Sequence, residues 1–205
     1  MEKGKRSVGP SKARLREAAG DVLRARGFRI QPRKGKGFRP GARWQAKPPD
    51  GPAFEVAVRT GRGRSLGVSR LSGGSWRTLS SVQLVLCVVP TAKNPKMFVV
   101  FAFEAEKLSA WFDRALVALE KAERAPALDV PIFIPLDRKS KKNVGHDVAG
   151  LKRAALWCET IDPKIMAEKV QRDEVDELFD LLKQKIAERE GIDVSEVILQ
   201  VKYSK

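Results

Sequence analysis

The stretch Phe54–Arg70, "FEVAVRTGRGRSLGVSR", decides how the chain is read. Its first seven residues alternate. Phe54, Val56 and Val58 point one way and Glu55, Ala57 and Arg59 the other, which is the two-residue period of a β-strand with one apolar face. From Gly61 onward the run turns to glycines and arginines, which predicts a basic loop. A strand that sets a carboxylate and a guanidinium on one face and then opens into cations is either the wall of an active site or a surface that grips an anion.

Working outward, "ARWQAKPPDGPAFEVAVRT" (Ala42–Thr60) reads as a hairpin, with Pro and Gly setting the turn and Asp50 a turn residue. Upstream, Ser11 caps a helix over Lys12–Arg26, whose Leu15, Ala18, Ala19, Val22 and Leu23 share a face. Gly27 followed by Phe28 is a glycine stop, and "FRI" begins a strand. The segment "QPRKGKGFRPGAR" between strand and hairpin is rich in Gly, Pro and cations, suited either to gripping a phosphate backbone or to serving as a solvated linker. Downstream, "VQLVLCVVP" and "MFVVFAF" are apolar strands buried on both faces, joined through "TAKNP". Glu104–Arg124 has helical spacing and "DVPIFIPLD" is a short extended piece.

Beyond Asp137 the composition changes. "RKSKKNVGHD" reads as a basic connection, "GLKRAALWCE" as a short helix, Pro163–Glu190 as a longer helix with Val175, Leu178, Phe179, Leu182 and Ile186 on its apolar stripe, and "VILQVKYS" as a terminal strand after an Asp193/Glu196 capping box. The domain plan is therefore a flexible basic tail over 1–10, a main domain over 11–137, a basic linker with a short helix over 138–160, and a C-terminal helix–strand element over 161–205.

Charge narrows the function. The 205 residues carry a net charge of +15, and all of it resides in the first 77, where 20 Lys and Arg face 5 Asp and Glu; the remainder holds 20 of each sign. A field concentrated in this way suits a polyanion, because each phosphate neutralised releases condensed counterions. Lys34, Lys36, Arg39, Arg43, Arg62, Arg64, Arg70 and Arg77 are the candidate phosphate contacts. Trp76, like Trp44, flanks the basic hairpin and either stacks on bases or is partly buried. Trp111 and Trp157 sit in apolar helical patterns. The two cysteines, Cys87 and Cys158, have no paired spacing and read as buried thiols in a reducing, cytoplasmic compartment. No leader or membrane-spanning run is read. His146, the only histidine, lies in a polar connection and reads as inert. "GRGRSLG" lacks the lysine–hydroxyl pair of a P-loop.

The order helix, strand, hairpin, buried strand, strand, helix over Ser11–Asp137 resembles the PD-(D/E)XK nuclease-like superfamily, in particular its resolvase and intron-endonuclease branch. The resemblance implies an α/β (α+β), restriction-endonuclease-like mixed sheet flanked by helices, here with a small C-terminal appendage. It also implies a strand bearing an acid or glutamine, an apolar residue and a lysine, paired to a strand bearing another acid; the acids would hold Mg²⁺ and the lysine would position the attacking water. "AVRT" departs from that pattern. Ala57 stands at the ligand position and Arg59 at the lysine position, and "ARWQAK" has no carboxylate.

The leading expectation is thus a DNA- or RNA-binding protein, DNA first, with a nuclease-like fold, lost metal ligands and no cofactor. Glu55 and Arg59 would form an ion pair on its floor. Two alternatives stand beside it: a Mg²⁺-dependent endonuclease with a migrated site at Glu55 and Asp50, and an adaptor whose acidic C-terminal helix engages a protein partner.

Overall fold

The computed structural model describes residues 10–34, 41–61, 64–91, 94, 96–136 and 150–197, without the side chains of 163–175 and 196. The basic tail before Pro10, Lys36, Arg39, Arg62, the linker with His146, and all of the terminal strand but Val197 lie outside the described residues.

Ser11 opens helix α1 (Lys12–Ala25) as the sequence predicts: its hydroxyl accepts from the Arg14 amide at 3.2 Å, a cap of a kind that contributes about 1 kcal/mol. Gly27 closes the helix at φ 79°, and the Phe28 amide donates back to the Leu23 carbonyl. The chain then lays down β1 (Arg29–Pro32), β2 (Arg43–Lys47) and β3 (Phe54–Thr60) as an antiparallel meander. A crossover leads to β5 (Leu84–Pro90), which lies parallel to β3. Within the crossover are β4 (Ser65–Ser69) and a single 3-10 turn at Leu79–Ser81. Then follow β6 (Phe98–Glu104), helix α2 (Ala105–Lys121), β7 (Pro131–Pro135), β8 (Trp157–Ile161) and helix α3 (Pro163–Glu190). The fold is α+β: a mixed sheet ordered β1-β2-β3-β5-β6-β8, a second sheet of β4 and β7, and helices α1 and α2 against the large sheet's two faces.

Strand alternation assigns the two faces. Val56, Val58, Leu86, Val88 and Val100 pack under α1 through Leu15, Ala18, Ala19, Val22 and Leu23. Ala57, Val85, Cys87, Val89, Phe101 and Phe103 point oppositely, onto Leu108 and Phe112 of α2 and onto Leu66, Val68, Ile132 and Ile134 of the small sheet. Because β5 and β6 are covered on both faces, they read as unbroken apolar runs. Each fully buried aliphatic or aromatic side chain contributes about 1.5–3 kcal/mol.

Two elements differ from the sequence reading. The arginine loop does not persist to Arg70, because Leu66 and Val68 alternate inward and make Ser65–Ser69 a strand paired with β7. Gly67 stands opposite Phe133, whose ring would lie 2.5 Å from a Cβ at that position. The short helix read into "GLKRAALWCE" is instead a 3-10 turn at Leu151–Ala154 followed by β8 on the edge of β6. Arg26 ties β8 to the end of α1: its guanidinium lies 4.1 Å above the Trp157 ring and 2.9 Å from Glu159. The chain divides into two compact units, Met1–Met166 and Ala167–Lys205, so the expected boundary at Asp137 falls inside the first. Among the described residues no helix is long and apolar enough to cross a membrane.

Candidate nucleic-acid interface

The meander collects cationic segments at one end of the large sheet. β1 finishes where β2 starts, with Pro32 opposite Trp44 and the Arg33 amide donating to the Arg43 carbonyl. β3 finishes at the same end, since Arg43 stands opposite Ala57. The chain leaves β3 through Gly61, whose amide reaches the Val88 carbonyl near the end of β5. Lys34, Arg43 and Arg64 are therefore gathered by topology. Sequence reasoning missed two contributors. Arg33 follows β1 directly, and α1 begins here with Lys12, Arg14 and Arg16, the Arg16 Cδ lying 3.9 Å from where Gly41 would carry a Cβ. The opposite end holds the hairpin turn with Asp50, together with Lys47 and Arg29 near it.

Glu55 and Arg59 do not pair. Residues four apart on one strand are separated by about 13 Å, whereas a diagonal cross-strand neighbour is within reach of a long side chain. Glu55 stands opposite Gln45, and its carboxylate accepts from Nε of Arg43, two residues away on β2, at 2.7 Å. Arg59 turns instead to the crossover, donating from Nη2 to the Arg77 carbonyl at 3.2 Å and to the Thr78 hydroxyl. Thr78 is buried at φ 72°, a conformation unfavourable for a β-branched residue. The guanidinium therefore anchors the strained entry to the turn that leads into β5. Arg59 is here a structural clamp.

The remaining candidates separate from the strand end. Arg70 lies past the other end of β4, where its Nε approaches the Gly74 carbonyl at 3.5 Å. Arg77 pairs with Asp129 at 2.6 Å. Trp76 is only 3% exposed; its indole donates to Asp113 at 2.9 Å and its ring packs on Phe112, so it offers no stacking surface. Trp44 is also buried, under α1. Cys87, next to Arg59 in register, is buried in the core, and loss of hydration pushes its thiol up to about 12, opposed by the nearby Arg59 charge. Cys158 is exposed on β8, contrary to the reading of two buried thiols.

A Mg²⁺ centre does not fit these residues. Magnesium takes hard oxygen ligands in an octahedron, yet position 57 is an alanine 1% exposed within the apolar core. Glu55 is held by the Arg43 guanidinium, and Asp50 stands in the exposed turn rather than on the strand face. Among the described residues, no group of three or more His, Cys, Asp and Glu could hold a metal ion.

Fold and site together define an α+β protein with a cationic strand end. No family model matches the chain, and no curated protein or solved structure matches it either.

Proposed function

We propose that this chain is a nucleic-acid-binding protein, with DNA as its first target, built on a nuclease-like scaffold whose metal ligands have been replaced. One observation carries the reading: residues far apart in sequence, Lys12, Arg14 and Arg16 at the start of α1, Arg33 and Lys34 after β1, Arg43 at the start of β2 and Arg64 after β3, lie toward a single end of the sheet. The order of α1, meander and parallel β5 supports the nuclease-like comparison. Arg59 as a clamp and Ala57 in the core support binding over cleavage.

Recognition through Lys and Arg of this kind follows the phosphate backbone and is largely independent of sequence. The test is a titration of fluorescent duplex DNA, single-stranded DNA and duplex RNA over a range of salt, with Mg²⁺ present and strand integrity scored in parallel. Retention at about micromolar affinity or tighter, a steep fall with salt, and intact strands support the proposal. A flat salt dependence, no retention at low salt, or metal-dependent nicking that disappears in Glu55→Ala would overturn it.

A further inference from the structure

The small sheet carries an exposed aromatic that neither core uses. Phe133 of β7 is 57% exposed, while Ile132 and Ile134 on either side of it are buried. It stands opposite Gly67 of β4, and three of its ring atoms lie 2.5, 2.7 and 3.1 Å from where Gly67 would carry a Cβ. The missing side chain lets the ring rest on the facing strand, so the sheet sets its position and no loop does. Around it the outward row consists of Ser65 and Ser69 on β4 and Pro131 and Pro135 on β7, all of them short side chains and none buried.

Charge and edge chemistry together select what fits here. The Leu136 amide donates to the Arg64 carbonyl at 2.9 Å, so the Ser65 end of the small sheet continues into the cationic strand end. The 3-10 turn brings more cations to that end: the Gly150 and Lys152 amides donate to the Pro135 and Leu136 carbonyls at 3.3 and 2.7 Å, and Lys152 and Arg153 are both exposed. At the other end Arg77, whose amide donates to the Ser69 carbonyl, is neutralised by Asp129. A peptide strand is a poor fit to β7. Since the Leu136 amide faces β4, the two-residue period of an antiparallel ladder turns the Ile134 and Ile132 amides the same way and positions 131, 133 and 135 outward. Pro131 and Pro135 have no N–H, which leaves Phe133 as the sole outward donor of β7 and blocks strand addition. We infer that Phe133 is a base-stacking residue, and that single-stranded nucleic acid crosses the small sheet with its phosphates at Arg64, Lys152 and Arg153. This rests on the binding function proposed above and names the form of nucleic acid held. Gly67 is three residues from Arg64, about 10 Å along the strand, so one nucleic-acid strand reaches both. Stacking accepts every base and adds affinity without sequence preference, whereas a duplex keeps its bases inside and gains nothing from the ring.

The experiment compares a labelled oligothymidine with an abasic strand of the same length, which has the same phosphates and no bases, and with a duplex. Wild type is expected to bind oligothymidine at least fivefold more tightly than the abasic strand. Phe133→Ala should bring those two affinities together while leaving the abasic strand and the duplex bound as before. Because Phe133→Ala uncovers Gly67, Phe133→Leu supplies a second arm: it keeps an apolar cover without a ring and should lose the preference too, whereas Phe133→Trp should retain it. Tight binding of all three probes with no preference for oligothymidine, or a preference that survives in Phe133→Leu, would overturn the stacking role and leave the phosphate interface standing. Retention of none of the probes at low salt would overturn both.

Discussion

Arg59 shows how far a single residue can be read from sequence. Alternation fixed its face correctly, but its partners come from Arg77 and Thr78, whose approach depends on the path of the crossover and not on local pattern. Hydrogen bonds from a charged donor contribute about 1.5–3 kcal/mol, and their loss leaves buried acceptors unpaired. Arg59→Ala is therefore expected to lower unfolding stability by about 2 kcal/mol in denaturant titrations, with a smaller effect on nucleic-acid affinity measured where the variant is folded. Cys87 gives a second test at this scale. Below pH 9.0 its thiol is neutral in both states; between there and about 12 the unfolded chain loses the proton while the folded core retains it, so stability falls as pH rises. The stability difference between wild type and Cys87→Val should accordingly shift toward the variant over that window. At pH 8 a thiol reagent should label one cysteine, Cys158, in the native protein and both after denaturation.

Elements with strong periodicity were legible. α1 with its Ser11 cap and Gly27 stop, the β2–β3 hairpin, the buried β5 and β6, and α2 all carry their pattern locally. β4 and β8 were hidden for different reasons. In β4, Leu66 and Val68 were outweighed by surrounding Gly and Arg, and the partner strand β7 lies more than sixty residues downstream. In β8, "AALW" has helical composition, and the alternation of Trp157, Glu159 and Ile161 acquires meaning only against the free edge of β6. Both give predictions. Gly67→Val should destabilise the protein by about 1–3 kcal/mol, since a branched side chain collides with the Phe133 ring. A chain ending at residue 149 loses β8 and bares the β6 edge from Phe98 to Ala102, so it should aggregate or unfold at lower temperature than a chain ending at Met166. Comparison of the two truncations by light scattering and thermal melting checks this.

At the scale of the whole molecule, the segregation of charge was visible in the sequence, but its convergence was not. The candidate cations span Lys34 to Arg77, and only the register of β1, β2 and β3 separates the strand-end group from Arg70 and Arg77 and adds Arg33 and the start of α1. The sequence leaves Trp76 open between stacking and burial because an aromatic beside arginines suits a binding surface as well as a core, and only its contacts with Asp113 and Phe112 decide between them. The most direct measurement reverses charge at the two ends of the same sheet. Arg33→Glu with Lys34→Glu alters the proposed interface, and Arg29→Glu with Lys47→Glu makes the same change in net charge at the hairpin end. Affinity for a duplex is then followed against salt. The account predicts that the first pair weakens binding at least tenfold and flattens the salt slope by about two, while the second pair changes both far less. Equal losses from the two pairs would mean that the net field alone attracts nucleic acid, and would contradict an interface at the strand end.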